Sequence, residues 1–254
     1  MQLWTKEHAI TLLPALAVML LLSAVLRITL RKKNLETRML PLKIIAVLIV
    51  VLEIGKQYVS FSDGYDLYSI PLHYCSLFIF MIPIMAFYRG KHQDKVGGIT
   101  AALCGSVFGL MLIYPCLIYG DWNIRNFFVG YLDFHTVVVH NLIMLAFLFI
   151  IALDLHTPAK KGEVKAVIVF ILCFCAVSAT AAQLLETNYN NFYQCNIPPL
   201  ETLRLAVAGV LGNTVAQIFY VLCVTLMDVL FTTAFYWVYR GLRKLVAGKT
   251  ATPV

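Results

Sequence analysis

The sequence predicts an all-α, polytopic membrane protein: seven transmembrane helices, the N-terminus outside and the C-terminus inside. Three observations carry this. Of 254 residues, 61% are hydrophobic and only 13% charged, against about 25% charged in a soluble domain. Seven apolar runs of about 20 residues or more recur along the chain, each long enough to span the hydrocarbon core as a helix. Sixteen of the 20 Lys and Arg residues fall in the loops of one side, the asymmetry that sets orientation. Continuous apolar runs favour helices over barrel strands, which would alternate.

The first run, 9–28, lacks a strongly basic leader and a small-residue cleavage site, so it is expected to remain as a span. A basic loop follows, with Arg27, Arg31, Lys32, Lys33, Arg38 and Lys43. The second run, 40–60, carries Glu53, Lys56 and Gln57 late, and the third, 68–88, carries His73 and Cys75 early. Arg89, Lys91 and Lys95 form the next basic loop. The fourth run, 97–118, places Gly97, Ala101, Gly105 and Gly109 four apart, a small-residue face for close helix packing. The fifth, 134–153, opens with His135 and His140, and the sixth, 164–185, follows Lys160, Lys161 and Lys165. Residues 198–212 read as a short interfacial helix before the last span, 214–238, and a basic tail with Arg240, Arg243, Lys244 and Lys249. Tyr58, Phe61, Tyr65, Tyr68, Tyr114, Tyr119 and Trp122 mark one interface; Trp237 and Tyr239 mark the other. The chain reads as a single domain, 1–254, without linker or internal repeat.

Net charge of +7 reflects the loop asymmetry and implies no nucleic-acid partner. The seven cysteines, odd in number and mostly within spans, are not a disulfide framework. His8, His92 and His156 read as solvated loop residues.

The ionisable residues within spans point to function, because a charge in hydrocarbon costs about 2.5–3.5 kcal/mol even on lenient scales and so faces a cavity or a partner. With alternating span directions, Glu53, His73, Cys75, His135 and His140 all fall in the outer third. Asn188, Tyr189 and Asn190 join them from the end of the sixth span, while the inner half offers almost nothing but Asp228. Glu53 shares a helical face with Gln57, and Lys56 lies within ion-pair reach of it. We therefore expect one polar pocket near the outer surface. Glu53, His73, Cys75, His135 and His140 are its catalytic candidates, and Lys56, Gln57, Asn188, Tyr189 and Asn190 its substrate-binding candidates.

The stretch Ile70–Ser76, IPLHYCS, resembles the L-P-L-H-x-C-(D/S) signature of the YwaF-like integral membrane family of bacteria. In the same order stand Glu53, the Gly-rich run Gly105–Pro115, the pair His135 and His140, and the T-N-Y segment Thr187–Tyr189. Ser76 occupies a position where Asp is frequent in that family. The family is similar to a eukaryotic group of seven-span, Cys-dependent acyltransferases acting on ether phospholipids. The resemblance implies a lipid acyl-transfer site with Cys75 in the place of the family cysteine.

Three function classes follow. In the first, Cys75 is the nucleophile of an acyltransferase or acyl hydrolase, with His140 or His135 as its base and Asn188 or Asn190 donating to the oxyanion. In the second, His73, His135, His140 and Glu53 bind zinc in a lipid hydrolase. In the third, the seven helices form a receptor or carrier; the last span holds no Lys for a retinal Schiff base. The first needs no cofactor or metal. Its partner is a phospholipid or other membrane lipid, and its location a cell membrane, bacterial in the resemblance.

Overall fold

The computed structural model describes residues 3–158, 162–195 and 198–248; Lys160, Lys161 and Lys249 of the predicted basic loops lie outside these. Among the described residues every regular element is helical: α1 (Lys6–Leu30), α2 (Leu35–Ser62), α3 (Leu77–Phe87), α4 (Gln93–Ile113), α5 (Asp121–Arg125), α6 (Tyr131–Ala152), α7 (Glu163–Leu184), α8 (Pro198–Leu211) and α9 (Asn213–Gly248). Five of them, α1, α4, α6, α7 and α9, are long and apolar enough to cross a membrane, and Tyr74–Phe87 is a shorter apolar helix. α2 has the length, at 28 residues, but bears Lys43, Glu53 and Lys56 along its course. The predicted short helix before the last long one is α8, packed on α9.

α4 is the hub. Gly97–Val107 is buried without a break, and the helix packs against α3, α6, α7 and α9. The four-residue row of small side chains makes this possible. A Cβ at Gly97 would lie 2.5 Å from the His156 ring, and one at Gly109 only 2.2 Å from that of Phe235. α4 ends at Ile113, earlier than the predicted 118, because Pro115 excludes helical backbone at Tyr114.

The third element departs most from expectation. The predicted span of 68–88 is a helix only from Leu77; two 3₁₀ turns, Leu67–Ser69 and Tyr74–Ser76, precede it. Pro71 bars helix at Ile70, whose ψ is 133°, and His73 is extended as well. Buried carbonyls of irregular backbone need hydrogen-bond donors, and here side chains of other elements supply them. Gln57 Nε2 donates to Ser69 O at 2.8 Å, Ser178 Oγ to Leu72 O at 2.8 Å and Tyr189 OH to Leu67 O at 2.5 Å. Tyr74 OH joins Ser106 and Thr232 at 2.8 Å each, tying the segment to α4 and α9.

At the opposite, basic end, three arginines from three helices close the C-terminus of α6. Arg27 Nη1 donates to Ala152 O at 2.7 Å, Arg38 Nη1 to Leu153 O at 2.8 Å and Arg243 Nη1 to Ile151 O at 3.0 Å. These carbonyls lie in the last turn and cap, where helical donors run out, and sit at the negative end of the helix dipole; Ile151 O also accepts weakly from Asp154 N at 3.4 Å. Asp154 accepts from Arg243. Beside them His156 and Glu163 are buried 3.5 Å apart, with Tyr236 OH donating to Glu163 at 2.7 Å and Tyr239 OH to His156 O at 2.9 Å. The expectation of an inner half nearly free of polar groups is thus overturned, as is that of a solvated His156. His8 is also fully buried, its Nε2 bonded to Tyr119 O at 3.0 Å. Tyr119 and Tyr239 are core residues rather than interfacial ones. Each of these side chains has a buried partner on another element, which a linear reading does not reveal. Tyr58, Phe61, Tyr68, Trp122 and Trp237 are exposed. Cys75, Cys104, Cys116, Cys173, Cys175 and Cys223 form no disulfide among the described residues.

Candidate functional site

A cavity of about 440 Å³ opens between α2, α3, α6 and the turn after α7. Glu53, Lys56, His73, Cys75, His135, His140, Asn188 and Asn190 all line it, with Tyr68, Thr136 and others. Of the candidates read from the sequence, Gln57 and Tyr189 stand behind this wall. Gln57 Nε2 donates to Glu53 Oε1 at 2.7 Å, and Tyr189 is fully buried with its ring edge toward His73. A larger groove of about 590 Å³ between α1, α5 and α6 has only Thr11, Tyr119 and Asn141 as polar liners. The ionisable candidates line the smaller cavity.

The side chains fall into two sets. In the first, Glu53 is the hub. Lys56 Nζ lies 3.0 Å from Oε1, and His135 Nε2 lies 3.3 Å from Oε2 without hydrogen-bond alignment. Two basic groups and an amide around one carboxylate form an ion cluster in which Glu53 is fully engaged. Tyr65 OH donates to Gln57 Oε1 at 3.1 Å and fixes that amide. Tyr131 OH donates to Leu52 O at 2.9 Å and packs beside His135.

In the second set the nitrogens can be assigned. His140 Nδ1 lies 2.6 Å from Thr136 O. A carbonyl only accepts, so Nδ1 carries the proton and Nε2 of the neutral ring carries the lone pair. That Nε2 is buried without a hydrogen-bond partner. His73 Nε2 faces Tyr68 O at 3.1 Å and is a donor for the same reason; its ring packs tilted against that of Tyr68, centroids 4.2 Å apart. His73 therefore bonds back to its own segment. Among the described residues Cys75 Sγ makes no hydrogen bond, and the thiol lines the cavity at the 3₁₀ turn leading into α3. With His73 extended and Cys75 in that turn, the pair does not follow helical spacing.

The asparagines also separate. Asn188 Oδ1 accepts from Tyr193 N at 3.1 Å and Gln194 N at 2.9 Å. Two backbone donors on one atom identify it as the oxygen, which leaves the Asn188 Nδ2 as an uncommitted donor. Asn190 Nδ2 instead donates to Asp228 Oδ2 at 2.5 Å. Asp228 thus belongs beneath this cavity, not to the opposite half of the bundle as the sequence reading had it. It was legible as part of a stripe on α9: Tyr220, Val224, Asp228, Thr232 and Tyr236 recur every four residues. Tyr74, whose hydroxyl anchors the turn holding Cys75, gave no such signal.

No three His, Cys, Asp or Glu side chains among the described residues converge as a metal ion would need. The model of the TMEM164 family matches residues 3–239 of the chain. No curated protein and no solved structure matches it.

Proposed function

Because the chain belongs to the TMEM164 family, a family of membrane proteins, and holds a thiol and an unpaired imidazole in one cavity, we propose that it is a membrane-embedded, Cys-dependent acyltransferase or acyl hydrolase acting on lipids. The kinship to YwaF-like bacterial membrane proteins, and a bacterial cytoplasmic membrane as its place, belong to the same reading. The observation that carries it is the state of His140: Nδ1 is held by Thr136 O, and Nε2 is buried without a hydrogen-bond partner on the cavity that Cys75 lines. Of the two candidate bases this favours His140, because His135 faces Glu53.

In the reaction, His140 Nε2 takes the proton of Cys75 Sγ, and the thiolate attacks the carbonyl carbon of a lipid ester. The carbonyl oxygen becomes an oxyanion to which Asn188 Nδ2 donates. The C–O bond breaks, the leaving lipid alkoxide takes the proton back from His140, and a thioester remains on Cys75. A second lipid hydroxyl, or water, then attacks the thioester with His140 again as base, regenerating the thiol. Lys56, His135 and Glu53 form the polar wall that receives the headgroup, and Gln57 and Tyr189 brace it. His73 holds the segment that presents Cys75.

Among the described residues no three His, Cys, Asp or Glu side chains converge, so no observation favours the zinc reading. The test is the lipid composition of membranes from cells expressing wild type or Cys75→Ala at equal levels. Wild type shifts the acyl-chain distribution of a lipid class and Cys75→Ala does not. An identical shift from both removes the nucleophile, and no shift from either moves the reading to a receptor or carrier.

A further inference from the structure

The turn after α7 carries three described non-glycine residues in left-handed backbone: Glu186 at φ 49°, Asn190 at φ 48° and Asn191 at φ 60°. Non-glycine residues hold such a conformation only where their surroundings fix it, even though asparagine tolerates it best. The fixing contacts come from two helices. Gln183 of α7 and Gln217 of α9 donate to Phe192 O at 2.8 and 3.0 Å, and Tyr220 OH donates to Asn191 O. Another contact is different in kind. Asp228 Oδ2, near the middle of α9, accepts from Asn190 Nδ2 at 2.5 Å and lies 3.6 Å from Cys175 Sγ. It is the carboxylate among these contacts, and a charge-assisted bond is roughly twice as strong as a neutral one. Its target is the strained residue itself, two positions after Asn188 and on the same cavity wall.

We propose that Asp228 is a positioning residue: by holding the Asn190 side chain it keeps the Asn190–Asn191 turn in left-handed backbone, and the turn in turn aims the Asn188 amide into the cavity. The chain of contacts is short. Asp228 fixes Asn190; the closed turn brings Tyr193 N and Gln194 N onto Asn188 Oδ1; Nδ2 is left as the donor. That Asn188 then serves an oxyanion rests on the acyl-transfer reading. That Asp228 governs the turn does not.

Hydrogen–deuterium exchange of the full-length protein in micelles reads the turn without any turnover. Asp228→Ala raises exchange of the 187–195 peptide by about tenfold, the scale of one lost bond to a charged group, with α4 and α6 unchanged. Asn190→Ala breaks the same bond from the loop side and does likewise, which covers the case of a variant in α9 that does not fold. Glycine adopts positive φ freely, so in the Asn190→Gly background Asp228→Ala adds little. Asp228→Asn, which still presents an acceptor, shows a smaller rise than Asp228→Ala. Unchanged exchange in both alanine variants overturns the inference, as does a rise spread over the bundle or an equal rise in the Asn190→Gly background. None of these results bears on Cys75. In the same preparations Asp228→Ala lowers kcat of the Cys75-dependent reaction but leaves alkylation of Cys75 unchanged, because alkylation forms no oxyanion. A fall in both would place Asp228 on the nucleophile and overturn the positioning role.

Discussion

His140 and His135 are separated by what each nitrogen touches. Both line the cavity and both have a buried Nε2 without a hydrogen-bond partner, yet that of His135 lies 3.3 Å from the Glu53 carboxylate, while His140 is oriented through Nδ1 by Thr136 O. A general base must offer a lone pair, so the two are not interchangeable. A membrane-permeant alkylating probe tests this at single residues. Cys75 labels faster than Cys104, which is fully buried among apolar neighbours. His140→Ala slows Cys75 labelling by about 10²-fold, the low end of general-base effects, and Lys244→Ala leaves it unchanged. Equal rates at Cys75 and Cys104, or indifference to His140→Ala, would make Cys75 a packing residue. The motif was legible because spacing alone brought Glu53, His73, Cys75, His135 and His140 to one depth. Which nitrogen is free was not: the i,i−4 contact of His140 Nδ1 with Thr136 O depends on the side-chain rotamer, and the approach of Glu53 to His135 depends on the packing of α2 against α6.

At the scale of elements, the small-residue face of α4 is a packing device. The His156 ring occupies the place of a Gly97 side chain, at 2.5 Å from the Cβ position and 3.2 Å from its own Cβ, so little of it can swing away. Gly97→Ala is expected to destabilise the bundle by about 1–3 kcal/mol, as overpacking does. Gly241 in α9 has open space at its Cβ position, so Gly241→Ala is neutral or stabilises by about 0.5–1 kcal/mol. Thermal unfolding of the purified protein in one detergent ranks the pair; a Gly97→Ala variant as stable as wild type would remove His156 as the obstacle. Helices α1, α2, α4, α6, α7 and α9 follow from apolar runs and differ from them mainly at the ends. α3 does not, because Pro71 and the side-chain bonds to Leu67, Ser69 and Leu72 carbonyls replace helix where composition alone favoured it.

For the molecule as a whole, the arrangement has two polar ends and an apolar middle around α4. One end holds the cavity. The other holds the arginine closure of α6 and the pair His156–Glu163. The basic residues there carry two consequences at once: they cap carbonyls in the structure, and their asymmetry argues for that end facing the cytoplasm. Reporter fusions after Lys33, Lys91, Lys161 and Lys249 are therefore expected to read cytoplasmic, and an external reading at any one of them would undo the proposed seven-span, N-out arrangement.

The sequence by itself determined that the chain is helical and of membrane type, because apolar length and scarcity of charge are properties of composition and order along the chain. It also placed Glu53, His135 and His140 toward one end of the bundle, because position along a helix is proportional to residue number. Only the tertiary structure decided what those groups do to one another. Rotation about each helix axis, the unwinding of residues 67–76 and the left-handed turn at Asn190 are set by contacts between elements far apart in sequence, such as Tyr74 with Thr232 and Asn190 with Asp228. Depth is a one-dimensional property and sequence fixes it locally; orientation is a property of packing, and it emerges only when the helices meet.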